Sequence, residues 1–363
     1  MNNKKIGIIT HYDVHNHGAQ MQLYALTMVL RNAGNEVAAL TFHKNCDFMS
    51  EEFFDNYSIS LGMVPRLVTY LKKNGVVRAI YNYRKNRTLL EFRRQNKLEG
   101  EFYSRACNLD MVVIGSDEVF SIEAGLNPFF FGMGVPCDKV VSYAASFGPT
   151  TEKFIYDHRA SEFITAGCNH INSISVRDMN TQKLVENFSK KEATLVCDPV
   201  ILYDFSKERE SIFDPQHKYG KYCIVYAYDT NMNDADTIKA IRKYAAQNKL
   251  KIISVGNYHK WCDENINLSP LEILSWFSHA SMVFTDTFHG TVFSIINSAP
   301  FYSKVGINTN KLQFLLDQFE LGNRRVVSFS EVNTDQSTIN YDRVNEMIYS
   351  IRKESMRFLM NNI

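Results

Sequence analysis

The sequence predicts an α/β protein built as two lobes, each a parallel sheet covered by helices, with a cleft between them. Short apolar runs alternate with helical stretches from Lys5 to Phe301. One polar stretch with Pro215, from Phe205 to Tyr219, interrupts that alternation. With 363 residues and 45% hydrophobic content, the chain is long enough to bury two cores.

Lys5 to Thr10 reads as a short buried strand, His11 to Gly18 as the loop after it, and Ala19 to Ala33 as a helix closed by Gly34. Val37 to Phe42 returns as a strand, giving one right-handed βαβ unit. Met111 to Gly115 is another buried strand, and it ends in Ser116 and Asp117, where parallel sheets place ligands. Val140 to Ala145 and Ile174 to Val176 add further strands. The second unit opens with a strand at Tyr222 to Tyr228, then a helix at Asp234 to Asn248 and a strand at Lys251 to Gly256. A helix at Pro270 to His279 follows, and then a strand running into Asp286. The expected organisation is a first lobe at 1–204 with a basic helical insertion at about 60–100, a linker at 205–220 and a second lobe at 221–339. A last helix at 340–363 is expected to cross back to the first lobe. No repeat at solenoid spacing is visible.

Composition removes several function classes. Forty basic against thirty-nine acidic residues exert no global pull toward nucleic acid. The seven cysteines are scattered and never form a Cys-x-x-Cys pair, so they read as free thiols in a reducing compartment. The N-terminus runs into a strand without a signal-peptide core, and no run of 18 apolar residues occurs, which predicts a cytoplasmic protein. No dinucleotide fingerprint follows the first strand, and neither a Walker sequence nor a Gly-x-Ser-x-Gly elbow is present. His11, His15 and His17 do not match a metal-ligand spacing, so no metal and no cofactor are expected.

The segment Phe284 to Phe301 is the most informative, because it sets His289-Gly290 between an apolar strand and an apolar helix. A helix start exposes unpaired N–H groups and partial positive charge, so a phosphate or carboxylate can sit beside the imidazole. The competing reading is a histidine that caps its own helix. Arg177, after an apolar strand, suits bidentate anion binding, or else pairs with Asp178. Asp117 suits a base, or else caps a helix after Ser116. The turn Asn16-His17-Gly18 suits an anion or sugar at a helix N-terminus, or is simply a strand-to-helix turn.

Several blocks together resemble the polysaccharide pyruvyl transferase family. Asn16 to Leu26 is similar to its Asn-x-Gly-Ala-x-x-Gln-x-x-Ala-Leu opening, and Asp110 to Phe120 to its Gly-Ser-Asp-x-x-Trp block, with Phe120 in place of Trp. Ser142 to Gly148, Ser175 to Asp178, Asp198-Pro199 and the His289 segment follow in the family's order, covering residues 6 to 301. Many members carry Arg two residues before the histidine, where this chain has Thr287, like the branch reading Asp-x-Phe-His-Gly. The resemblance implies two Rossmann-like lobes with an interdomain cleft, similar to the GT-B glycosyltransferase arrangement. It also implies transfer of a pyruvyl group from phosphoenolpyruvate to two hydroxyls of a sugar, in surface-glycan biosynthesis. On that reading His289 and Asp117 are catalytic, and Arg177, Asn16, His17, Gly18, Ser116, Thr287 and Gly290 bind substrate. The alternatives are a glycosyltransferase using a nucleotide sugar and a non-catalytic glycan- or anion-binding relative.

From Arg66 to Lys97, ten basic residues stand against Glu91 alone, interleaved with Tyr70, Tyr81, Tyr83 and Phe92. This reads either as a docking surface for a lipid-linked acceptor and the membrane carrying it, or as a solvated basic face.

Overall fold

The computed structural model describes residues 3–43, 75–123, 125–306, 310–332 and 338–363. In chain order its strands are β1 (Lys5–Ile9), β2 (Glu36–Thr41), β3 (Glu99–Phe102), β4 (Met111–Ile114), β5 (Val140–Ser142), β6 (Ile174–Val176) and β7 (Ala193–Leu195). Then come β8 (Tyr222–Tyr226), β9 (Lys251–Val255), β10 (Glu264–Ile266), β11 (Met282–Thr285), β12 (Phe301–Lys304) and β13 (Arg325–Val326). Every strand pair is parallel. Parallel strands carry helices on both faces, which is why Met111–Ile114 and Tyr222–Tyr226 are apolar and buried without alternation.

The first sheet has the order β3-β2-β1-β4-β5, and the second β10-β9-β8-β11-β12-β13. In each, the chain lays strands to one side of its first strand and then returns to the other. That is the Rossmann order, and it leaves a switch point between β1 and β4 and another between β8 and β11. The pair β6–β7 continues the first sheet through bridges Val141–Ser173 and Ala145–Val176. The two Rossmann-like lobes face one another across a cleft.

Two helices begin earlier than their sequence suggests. The helix His17–Asn32 is capped by Asn16, whose Oδ1 accepts from Gly18 N at 2.7 Å. The helix Phe288–Ile296 is capped by Thr287, whose Oγ1 accepts from Gly290 N at 2.9 Å. In both, the glycine reads as loop in sequence and lies in the first helical turn in the structure. Strands such as β7 and β13 are too short to show a period in sequence.

Residues 205–220 carry two short helices, Ser206–Arg209 and Gln216–Tyr219. Arg209 Nη2 donates to Ile296 O at 2.8 Å, tying this stretch to the helix that carries His289. The final helix, Tyr341–Asn362, lies against Cys197 to Tyr203: Cys197 N donates to Ser355 Oγ at 2.9 Å, and Arg352 Nε to Ile201 O at 2.5 Å.

Within the basic segment, Arg66, Tyr70, Lys72 and Lys73 lie outside the described residues. Apart from Lys97, the rest lies in the helix Val76–Gln95, which reaches across to the second lobe. Arg78 pairs with Asp229, Tyr81 OH donates to Ile266 O at 3.0 Å, and Asn267 Nδ2 donates to Thr88 Oγ1 at 2.8 Å. Arg93 is buried between Asp13 and Glu99 at 2.7 and 2.5 Å. The reading of this segment as one basic outer surface therefore needs correction: Arg78, Lys85 and Arg93 turn inward, because the face that holds them packs between the lobes. Among the described residues no helix is long and apolar enough to cross a membrane.

Candidate active site

The carboxyl ends of β1, β4, β8 and β11 open on a cleft of about 430 Å³ between the lobes. Of the anticipated site residues, Asn16, His17, Asp117, Arg177, Thr287 and His289 line it. His11 and His15 line it as well.

At its floor lies a hub that sequence reasoning quoted without giving it a role. Asp198, 1% exposed, accepts Gln22 Nε2 at 2.6 Å and Arg177 Nη1 at 3.0 Å on Oδ2, and Val200 N at 3.0 Å on Oδ1. Arg177 Nη2 reaches Asp117 Oδ1 at 3.6 Å, and the guanidinium carbon lies 4.6 Å from the centre of the Phe288 ring. Arg177 does not pair with Asp178, whose carboxylate instead caps the helix Met179–Ser189 at Thr181 N and accepts Ser146 Oγ. Asp117 caps no helix. Burial pushes its carboxyl up, but Arg177, with the other basic groups around it, outweighs this and holds it below the usual aspartate range. The Arg177 charge is likewise opposed by burial and sustained by Asp198 and Asp117.

His289 comes from the other lobe. Its Nε2 is 3.8 Å from Asp198 Oδ2, too long for a hydrogen bond, and this buried atom has no partner among the described residues. Arg177 Nε and Ser116 Oγ are also buried without a partner among the described residues. Burial pulls the His289 imidazole below its ordinary value, against the carboxylates of Asp198 and Asp117, which favours its neutral form. It is not the cap of its own helix; that role belongs to Thr287.

Three anticipated ligand residues do not line the cleft, and each has another task. A Cβ on Gly18 would stand 2.3 Å from Cγ of His289, so this glycine lets the imidazole rest on the start of the opposite lobe's helix. A Cβ on Gly290 would stand 2.1 Å from Thr285 Oγ1. Both are packing positions. Ser116 is 2% exposed and its carbonyl accepts Thr10 Oγ1 at 2.9 Å.

His17 is in the cleft wall but is no cation. Its Nε2 meets Leu268 O at 2.9 Å, and burial pulls its pKa down to about 3, helped by Lys85. Residues that sequence reasoning missed include Lys85, Glu118, Tyr228, Asn257, Asp286 and Lys311. Lys311 pairs with Glu118 across the cleft, and Asn16 Nδ2 donates to Tyr228 OH at 3.3 Å. Asp286 accepts Asn231 Nδ2 at 2.8 Å on Oδ2, while its buried Oδ1 has no partner among the described residues. Burial raises its carboxyl above the usual range, against the Asn231 bond, biasing it toward the protonated form. Asp286 was visible in the Asp-x-Phe-His-Gly segment, whereas nothing in the sequence marked Lys311 or Tyr228.

A family model for polysaccharide pyruvyl transferase matches residues 16–304, a span containing Arg177, Asp198 and His289. The chain belongs to the polysaccharide pyruvyl transferase family. As a member of that family it is a transferase. No curated protein is a detectable sequence match. Among solved structures the chain is similar to the UDP-GlcNAc 2-epimerase from Methanocaldococcus jannaschii, with a TM-score of 0.46 and 11% identity over 95% of this chain and 92% of that one. It is also similar to the glycosyltransferase SnogD from Streptomyces nogalater, with a TM-score of 0.44 and 11% identity over 98% and 95% of the two chains.

Proposed function

We propose that this pyruvyl transferase family member moves the pyruvyl group of phosphoenolpyruvate onto two hydroxyls of one sugar, forming a cyclic ketal and releasing phosphate. The observation that carries the reading is that Arg177, from one lobe, and His289, from the other, converge on Asp198 Oδ2, with His289 Nε2 left without a partner among the described residues. The donor's phosphate and carboxylate need a cation and N–H donors in a water-poor site, and the cleft floor supplies both.

The chemistry needs an acid and a base. Protonation of the enol methylene carbon by the Asp286 carboxyl turns the adjacent carbon into an oxygen-stabilised cation. A sugar hydroxyl attacks that carbon and gives its proton to Asp117. Phosphate then leaves by cleavage of its C–O bond, the O–P bond staying intact, and the second hydroxyl closes the ketal on the resulting oxygen-stabilised cation, its proton passing to the departing phosphate. Neutral His289 donates a hydrogen bond to the departing phosphate, and its low proton affinity keeps it from trapping the acceptor's proton.

Incubating purified protein with phosphoenolpyruvate and candidate acceptors, including lipid-linked oligosaccharides, tests this. Stoichiometric phosphate release with a pyruvyl mass gain on the sugar is the expected outcome. A nucleotide sugar that raises the melting temperature where phosphoenolpyruvate does not would instead point to glycosyl transfer.

A further inference from the structure

Three cations line the cleft, and two are matched by carboxylates: Arg177 by Asp198 and Asp117, and Lys311 by Glu118. Lys85 is not. It is 6% exposed, and among the described residues its ammonium donates a hydrogen bond only to Asn257 Oδ1, at 2.8 Å. No carboxylate stands within ion-pair distance of it among the described residues, and Asp229, the acidic group acting on it, is already paired with Arg78. An ammonium held this deep against a single amide is poorly compensated. It also keeps two of its three N–H donors for another acceptor.

The surroundings are built to hold it there. Lys85 comes from the helix Val76–Gln95, which is fixed to the second lobe through Arg78, Tyr81 and Thr88. Asn257 is oriented by its own Nδ2, which donates to Ala227 O at 2.8 Å. These residues stand at the carboxyl ends of β8 and β9, beside Tyr226 and Tyr228. A cleft of about 430 Å³ is also larger than a three-carbon phosphoester requires.

We propose that Lys85 and Asn257 form a second anion subsite, which takes a phosphate-ester group carried by the acceptor while the donor occupies the Arg177–His289 end. A lone ammonium with an amide beside it is a point-charge phosphate binder, whereas a carboxylate is better matched by a guanidinium fork. The placement of the donor rests on the function proposed above; the subsite itself does not.

The test is calorimetric titration of inorganic pyrophosphate into protein saturated with phosphoenolpyruvate, using wild type, Lys85→Met and Asn257→Ala. Pyrophosphate is expected to bind the saturated wild type at one site. Lys85→Met should weaken it at least tenfold, and Asn257→Ala by less, while affinity for phosphoenolpyruvate holds in both. Arg177→Lys should do the reverse. Competition between pyrophosphate and phosphoenolpyruvate for a single site, or equal pyrophosphate binding to Lys85→Met, would overturn the subsite. Lys85-dependent binding of glucuronate tighter than that of pyrophosphate would overturn the phosphate class. If phosphoenolpyruvate does not bind at all, the function proposed above fails, and the pyrophosphate titration of ligand-free Lys85→Met still decides the subsite by the loss of a binding site.

Discussion

Gly18 shows how closely the two lobes' residues depend on one another. Because its missing Cβ is the space in which the His289 ring lies, Gly18→Ala must push that ring aside. Turnover should fall toward the level of His289→Ala, itself expected to lose about 10²- to 10⁴-fold, with overpacking costing about 1–3 kcal/mol of stability. Paired turnover and melting measurements check this; a fully active Gly18→Ala would mean that the ring position is immaterial. Arg177 carries more stability than His289 does. Arg177→Met strands Asp198 and Asp117, and the loss of one partner from a buried pair costs about 3–5 kcal/mol, readable by urea denaturation. Arg177→Lys keeps the charge and should weaken phosphoenolpyruvate more than acceptor. His17 sets an acid limit. Its folded pKa of about 3 lies below the ordinary 6.5, so in that window the unfolded chain binds a proton that the native one does not. Stability from this group is complete above the unfolded value and is lost as pH falls toward 3, by about 1.4 kcal/mol per pH unit. His17→Gln should flatten that slope in urea melts between pH 6 and 4, and an unchanged slope would refute the buried neutral state.

The helix Val76–Gln95 divides its charges by face. Tyr81, Lys85, Leu89, Phe92 and Arg93 are buried, at roughly helical spacing, while Val76, Val77, Ile80, Tyr83, Arg84 and Arg87 are exposed. Any contact with an anionic membrane must use the exposed face, not Lys85. Arg84→Gln with Arg87→Gln should therefore reduce sedimentation with anionic vesicles at low salt, an effect that vanishes as salt rises, and leave turnover of a soluble acceptor as it was. Wild type that stays in the supernatant at low salt would leave this face simply solvated.

Across the whole molecule, the last helix closes the structure by covering Cys197 to Tyr203, the stretch that presents Asp198 to the cleft. Ser355 is 2% exposed and gives the buried Cys197 N–H its acceptor. Ser355→Val should cost about 1–3 kcal/mol by leaving that N–H unpaired, and it should lower turnover as well, since Asp198 is the next residue along. Stability loss with unchanged turnover per folded molecule would separate the helix from the site.

The sequence by itself determined the two-lobed parallel architecture, because strands buried on both faces appear as unbroken apolar runs and each must be followed by a helix to return. It also determined that Asp117 and Arg177 lie just past strand ends and that His289 lies in the strand-to-helix segment after such a run. What it could not determine was which groups meet. Asp198 became the hub, Gly18 and Gly290 became packing positions, and Lys85 and Lys311 joined the cleft only when two lobes separated by long stretches of chain came together. Those contacts depend on shape and burial between distant segments, for which local pattern carries no signal.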